Sequence, residues 1–489
     1  MLVKFALRNA NTKLIKRFLE IRPVFVISKK YLSQNQYNDC EGLFKCYSDD
    51  GGNFGDKYKP LSGDDYDRFI SDRAKKREPA LTRLVTQLAY EAGGKMVSLA
   101  EGMPNEEMFP FSRMQLQLKD GRAMDVEGSE LAAALQYVPS QGLPALLARL
   151  QEFQELVHRP PPADRRIIVT NGAQQAVYQC LDLLLEPGDP VIISEYAYTG
   201  TCIAMKPYSP EILSIPEDSE GIRPEAIEAI LQSRLAKGLK MPRLLYTIPT
   251  GNNPTGTVLP EDRRRRIYEL ACEYDFLILE DDPYMFLSYK ERPVPSFLSL
   301  DVCGRVVRVD SLSKPVAAGL RAGWAQAPAP LAARLLLHAQ AQTLHPCALA
   351  QTIISRLLSD LPSLAAHFLS ARSFYKNRRD ALHRALCRAD ATHVAEWTLP
   401  DAGLFLWLKV REVDDVYSMV FNTAFQRGLM LIPGHAFLYD SGAPSQHIRL
   451  TFSKVAMKDM EAAARTLVAV IRDEQRNAAS KRLHRSATT

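Results

Sequence analysis

Asp310-Ser311-Leu312-Ser313-Lys314, closed a few residues later by Gly319-Leu320-Arg321, is the stretch on which the reading of this chain turns. It follows Val306-Val307-Arg308-Val309, one of several short apolar runs. The others are Ile167-Ile168-Val169-Thr170, Val191-Ile192-Ile193-Ser194, Leu244-Leu245-Tyr246-Thr247 and Phe276-Leu277-Ile278-Leu279. Each run is predominantly apolar rather than alternating, as suits a strand buried on both faces. Helical spacing separates them, for example from Gln174 to Leu185, a segment followed by Pro187-Gly188-Asp189. Strands alternating with helices predict an α/β fold with a mostly parallel sheet covered on both sides. From about residue 390 the pattern changes. Strand-like Leu404-Phe405-Leu406-Trp407-Leu408 and His447-Ile448-Arg449-Leu450-Thr451-Phe452 flank a helix from Val416 to Arg427, which predicts a smaller α+β domain.

These runs give an expected organisation. Residues 1–63 form a leader and linker, and 64–107 an arm that opens the small domain and contains a strand at Val97–Ala100. The large domain spans 108–390, the small C-terminal domain 391–472, and a disordered tail 473–489. At 489 residues the chain exceeds one ordinary core, which suits a large and a smaller domain. Residues 1–63 hold 11 Lys/Arg and 6 Asp/Glu and so account for the whole formal charge of +5. The body is neutral, which argues against nucleic-acid binding by bulk electrostatics. No apolar run is long enough to span a bilayer. The first 30 residues carry eight Lys/Arg and one acid, Glu20. Val3, Leu7, Leu14 and Phe18 share a helical face, with Lys13 and Lys16 opposite. That is the amphipathic, acid-poor signature of a mitochondrial presequence; the alternative is a disordered basic leader with no address, on a cytoplasmic protein. The eight cysteines are scattered without a CxxC pair, which suits a reducing compartment and gives no metal site.

Every candidate polar group lies at the end of an expected strand or just beyond it, where open α/β sheets bind their ligands. Lys314 offers an amine that can bond to an aldehyde, and such lysines need a depressed pKa to be nucleophilic. Asp281, in Asp281-Asp282-Pro283-Tyr284, would alone read as part of a solvated acidic turn. With Lys314 downstream it reads as the partner of a pyridine nitrogen. Tyr284, with Asn253 from Pro249-Thr250-Gly251-Asn252-Asn253-Pro254-Thr255-Gly256, can reach a phenolic oxygen on the same ring. Ala173 and Gln174 open the helix after Asn171-Gly172, and a helix N-terminus attracts phosphate. Ser311, Ser313 and Arg321 complete a phosphate cup around the lysine. Tyr198, in Glu195-Tyr196-Ala197-Tyr198, is placed to stack on the ring. Arg449, between Ile448 and Leu450, suits bidentate capture of an α-carboxylate. Together these groups specify pyridoxal 5′-phosphate and an amino-acid substrate.

The same residues resemble those of the class I/II, fold-type I pyridoxal-phosphate aminotransferases, and within them the kynurenine/2-aminoadipate aminotransferase group. The resemblance covers about 65–472. It is carried further by Ser98-Leu99-Ala100-Glu101-Gly102-Met103-Pro104-Asn105, Ala134-Leu135-Gln136-Tyr137-Val138-Pro139-Ser140, Leu245-Tyr246-Thr247-Ile248-Pro249, Thr343-Leu344-His345-Pro346 and Ala402-Gly403-Leu404-Phe405-Leu406-Trp407. It implies a seven-stranded large-domain sheet, and a homodimer in which Tyr137 reaches the neighbouring subunit's cofactor phosphate. It also implies substrate contacts from Arg83 at the distal end, from Gly102 and Phe405 lining the pocket, and from Tyr137, Asn253 and Arg449. The expected substrates are amino acids and 2-oxo acids. The reaction moves the amino group of 2-aminoadipate, kynurenine or a related acid to 2-oxoglutarate by a ping-pong path. The chain departs from the group's usual Glu-Pro-Ala-Tyr at Tyr196, and Pro315 directly follows the lysine.

Three other readings use the same residues. An aromatic or broad-specificity aminotransferase needs the same site. So does a lyase that splits an amino acid at Cβ or Cγ, which would form product without an oxo acid. A pyridoxal-phosphate-binding regulator would need a DNA-binding module, and residues 1–63 carry no helix-turn-helix pattern.

Overall fold

The structure, a computed structural model, describes residues 57–488 apart from 93–96, 98 and 101. The presequence-like leader lies outside these residues. Seven strands make the main sheet: β1 (Arg165–Thr170), β2 (Pro190–Ser194), β3 (Glu211–Ile215), β4 (Leu244–Thr247), β5 (Leu277–Asp281), β6 (Val306–Ser311) and β7 (Gly323–Pro328). Their order is β1-β7-β6-β5-β4-β2-β3. All neighbours are parallel except at β7, which runs antiparallel to both β6 and β1. The apolar runs explain the centre: every residue of β2, β4, β5 and β6 is buried. Parallel β2, β4, β5 and β6 end on one edge, and antiparallel β7 begins there. The chain segments that should hold the ligand therefore gather on that edge.

The second sheet has strands β8 (Ala395–Trp397), β9 (Phe405–Val410), β10 (Ile432–Pro433) and β11 (His447–Thr451), in the order β8-β9-β11-β10. Here the strands alternate. Leu406, Leu408, Val410, Ile448 and Leu450 enter a hydrophobic core. Phe405, Trp407, His447 and Arg449 take the other, half-buried face. One residue step in register would exchange the two sets. The expected helix at 416–427 is present but contains a π-helical turn, Met419–Ala424.

Helices α1 (Leu81–Ala92), α2 (Ala173–Leu184), α3 (Leu361–Arg388) and α4 (Met460–Thr488) frame the site and the second core. Helix α4 corrects the expected disordered tail. Leu467, Val468, Val470 and Ile471 are buried, and Gln475 Nε2 donates to the Arg411 carbonyl at 2.9 Å. The helix continues from these anchors through Thr488. Residues 57–63, expected as linker, are also seated. Leu61 N–H donates to the Cys303 carbonyl at 3.0 Å, and the Tyr58 hydroxyl donates to Glu273 at 2.8 Å. The described residues of the expected strand, Val97, Leu99 and Ala100, are irregular and exposed. Among the described residues no helix is long and apolar enough to cross a membrane.

The N-terminal segment is fastened to helix α2 at Ser71. Its hydroxyl donates to the Asp182 carbonyl at 3.0 Å and accepts from the Ala74 N–H at 3.3 Å, capping the helix Asp72–Lys75. Ser71→Ala is expected to cost about 1 kcal/mol. A lowered urea midpoint with an unchanged slope would register that loss, and an unchanged midpoint would exclude it.

Candidate active site

Lys314 stands three residues beyond the end of β6, half-buried, with its Nζ 5.7 Å from the centre of the Tyr284 ring. Burial lowers its pKa, and the nearby positive charges of Arg321 and Arg449 lower it further against the pull of Asp281. An amine held this way is more often neutral than one in water.

Asp281 ends β5 and is buried. Its Oδ2 accepts from the Tyr246 hydroxyl at 2.9 Å, while Oδ1 has no hydrogen-bond partner. Burial pushes its pKa up to about 7, aided by the negative charges of Asp282 and Asp310. Behind it lies a dry ion cluster. Arg308, fully buried, meets Asp310 at 2.7 Å, Glu280 at 3.0 Å and Asp282 at 3.4 Å. Glu280 also accepts from the N–H groups of Phe297 and Leu298 at 2.9 and 3.1 Å. Neither Tyr246 nor Arg308 stands out in the sequence as a site residue. A tyrosine in a fully buried strand must still find a partner for its hydroxyl. That requirement was the available signal.

The expected phosphate cup assembles where β1 meets α2 and β6 meets β7. Ser311 Oγ lies 2.8 Å from Ser313 Oγ and 3.0 Å from the Ala322 carbonyl. Arg321 adopts a left-handed backbone, φ 50°, and its Nη2 donates to the Asn171 carbonyl at 3.0 Å. This lays the guanidinium over Gly172. A Cβ there would sit 2.4 Å from Nη2, and the residue has φ 76°, so glycine is required. Ala173 and Gln174 form the first turn of α2, where backbone N–H groups have no partner within the helix and no side chain caps them at Gly172. The Gln174 amide donates to the Gly200 carbonyl at 3.1 Å, and its Oε1 is buried without a partner.

Arg449, on β11, closes the other side. Its Nη1 donates to Asn253 Oδ1 at 2.8 Å, its Nε is buried without a partner, and it packs 4.1 Å from the centre of the Phe405 ring. Phe405 meets Tyr284 edge-on at 6.0 Å. Tyr198 caps the short helix after β2; it is half-buried, and burial raises its pKa. Lys314, Tyr284, Phe405, Arg449 and Asn253 are thus joined by consecutive contacts.

Three expected contacts stand apart. Arg83, on α1, donates through Nε to Ser140 Oγ at 3.1 Å and through Nη2 to the Val138 carbonyl at 2.5 Å. Tyr137 is 44 % exposed and meets His345 edge-on at 5.8 Å. Gly102 is exposed, with nothing within 4 Å of a Cβ placed on it. Among the described residues no hydrogen bond or ring contact joins these three to the group around Lys314.

The family model for "Aminotransferase class I and II" matches residues 97–467. The chain belongs to this family. This transaminase is 39 % identical over 424 residues to the mitochondrial kynurenine/alpha-aminoadipate aminotransferase of Rattus norvegicus, covering 83 % of this chain and 99 % of that one. Aminotransferase Aro8 from Candida albicans shares its fold with a TM-score of 0.76 at 26 % identity, covering 86 % of this chain and 99 % of that one. LysN, an alpha-aminoadipate aminotransferase from Thermus thermophilus, was solved complexed with N-(5′-phosphopyridoxyl)-L-leucine. It matches with a TM-score of 0.64 at 25 % identity, over 84 % and 99 % of the two chains. Family membership implies pyridoxal phosphate. The residues fit it: a buried carboxylate oxygen without a partner suits a pyridine N–H, and a helix N-terminus beside an arginine suits a phosphate.

Proposed function

We propose that this aminotransferase carries the amino group of 2-aminoadipate, kynurenine or a related amino acid to 2-oxoglutarate by a ping-pong path, with pyridoxal 5′-phosphate held by the residues around Lys314. The observation that carries the reading is the convergence of Lys314 and the unpartnered Asp281 oxygen, at one edge of the main sheet, with Arg449 from the second sheet. The likeness to the rat enzyme over nearly its whole length supports the choice of donors.

When bound, pyridoxal phosphate supplies an aldehyde and a ring that withdraws the electron pair left as the substrate's Cα–H bond breaks. The protein does the rest. Ala173, Gln174, Ser311, Ser313 and Arg321 hold the phosphate. Asp281 would keep the ring nitrogen protonated, Tyr284 and Asn253 would hold the phenolic oxygen, and Tyr198 would pack against the ring. With the cofactor bound, the Lys314 amine would serve as the general acid–base for the proton at the substrate's Cα. Arg449 grips the α-carboxylate in both half-reactions, since donor and acceptor share that group. Phe405 lines the pocket; for Gly102 as a further lining residue, and for Arg83 as the partner of the distal carboxylate of 2-aminoadipate or glutamate, the support is the family resemblance, since both stand apart from the Lys314 group here. The exposed ring of Tyr137 suits a homodimer in which it reaches the partner's phosphate site. The basic amphipathic leader and the mitochondrial relatives support a place in the mitochondrial matrix.

A donor panel with purified holoenzyme tests the reading. Kynurenine or 2-aminoadipate alone is expected to shift the cofactor absorbance, and keto product is expected to accumulate only with 2-oxoglutarate present. If no donor of this class shifts the spectrum, the reading fails. Product formed without an oxo acid would instead mark a lyase.

A further inference from the structure

We propose that Tyr196 is a positioning residue for substrate carboxylate binding, acting through an aromatic stack that ends at Arg449. The inference rests on the assignment of Arg449 above. Arg449 is weakly fixed by hydrogen bonds. Its Nη1 meets Asn253, and its Nε has no partner. Packing sets the guanidinium's position instead: it lies 4.1 Å from the centre of Phe405 and 5.0 Å from that of Phe437. Phe437 meets Trp407 edge-on at 5.6 Å. Trp407 lies flat against His447, with centres 5.1 Å apart and planes 6° from parallel. Tyr196 closes the row. Its ring is 4.9 Å from Trp407 and 5.0 Å from His447, and its hydroxyl is 3.1 Å from His447 Nδ1.

The strand pattern makes this row continuous. Trp407 on β9 stands opposite Arg449 on β11, and His447 is two residues before Arg449 on the same face. Tyr196 belongs to the segment after β2 that also carries Tyr198. That segment is pinned to the same neighbourhood by its backbone: Ala197 N–H donates to the Phe437 carbonyl at 2.9 Å, and Thr199 Oγ1 to the Ala436 carbonyl at 2.5 Å. The Tyr196–His447 bond therefore joins the loop of the ring-stacking tyrosine to the strand of the carboxylate-binding arginine. Burial holds His447 down to about 4, so it is neutral at physiological pH and accepts or donates one ordinary hydrogen bond at Nδ1. Without that bond the His447–Trp407 pair can tilt, and the Phe437 surface under Arg449 moves with it. The phosphate-holding groups Ser311, Ser313, Arg321 and the α2 N-terminus lie outside this row, so retention of the cofactor does not depend on it.

Tyr196→Phe keeps the ring and removes only the hydroxyl. One neutral hydrogen bond corresponds to about a three- to tenfold change in an equilibrium. The variant is expected to raise KM for the amino donor and for 2-oxoglutarate together by that factor, with kcat within about twofold and the holoenzyme spectrum unchanged. Glutarate, which has the carboxylates but cannot react, gives a readout without turnover. Its Kd for the holoenzyme, followed by tryptophan fluorescence that includes Trp407, is expected to weaken by the same factor. His447→Phe keeps a stacking ring. Its combination with Tyr196→Phe is expected to be no worse than Tyr196→Phe alone, because that variant already removes the Tyr196–His447 bond along with the hydroxyl's contact to Ser445. Wild-type KM and glutarate affinity in Tyr196→Phe would overturn the proposal, as would strictly additive losses. A wild-type enzyme that transaminates while Tyr196→Phe is normal sinks only this inference. A wild-type enzyme that transaminates no donor sinks the functional reading instead.

Discussion

Lys314→Ala is expected to lower kcat by more than about a thousandfold, near the upper range for removal of a general acid–base that is also the covalent anchor. The argument is geometric first. The amine is the one described lysine in contact with the site's rings, 5.7 Å from Tyr284. It lies in the field of Asp281, Arg321 and Arg449, and burial together with the two arginines lowers its proton affinity. No carboxylate lies within ion-pair distance of it among the described residues, so its loss leaves no charge stranded and the fold should hold. Circular dichroism and melting of the variant should match the wild type. Borohydride treatment of wild-type holoenzyme should fix the cofactor to the peptide carrying Lys314, and the variant should lose this labelling. A small added amine should restore part of the turnover in the variant, because it can carry the proton that Lys314 carries. Near-normal kcat in Lys314→Ala, or labelling elsewhere, would remove Lys314 from the mechanism.

The legible parts of this protein were those fixed by short-range chemistry. The five apolar runs announced β1, β2, β4, β5 and β6 because strands buried on both faces admit little else. Lys314, Asp281, Asn253 and Arg449 were visible through their neighbours in sequence. Strand β7, Gly-Trp-Ala-Gln-Ala-Pro, was not: its small and polar residues carry no apolar run, and it is buried by pairing with β1 and β6. Strand β3 is an edge strand with mixed exposure, and it gave an equally faint pattern. Arg308 looked like an interruption in an apolar strand. Its carboxylate partners Glu280 and Asp282 lie on the neighbouring β5 segment, so its burial becomes intelligible only once the register is known. The tail was misread for a related reason. The anchors of α4 are a few apolar residues in a polar helix, and what they pack against is remote in sequence. Long-range pairing, not composition, decided each of these cases.

Asp281→Ala is expected to reduce kcat by about 10²- to 10³-fold, or ~2.7–4 kcal/mol, the loss typical of one preorganised electrostatic partner. The free protein already shows why this carboxylate is placed at a cost. It is buried beside Asp282 and Asp310, and burial lifts its pKa to about 7 from the ordinary 3.8. Between these two values the folded apo-protein binds more protons than the unfolded chain at this group. Stability from this residue is therefore present below about pH 4 and declines as pH rises toward 7. A protonated pyridine nitrogen against the unpartnered Oδ1 reverses the balance, since it favours the charged carboxylate. The rise in melting temperature on loading pyridoxal phosphate should then be larger at pH 8 than at pH 5 for the wild type. In Asp281→Ala this difference should shrink, while phosphate-dependent binding through Arg321 and the α2 N-terminus persists. Asp281→Asn separates charge from shape: it can keep the Tyr246 hydrogen bond but cannot hold a proton on the ring. It should resemble Asp281→Ala in kcat and the wild type in apo-protein stability at low pH. If Asp281→Asn retains wild-type kcat, the carboxylate charge is not what the reaction uses, and the ring nitrogen must be paired with another group.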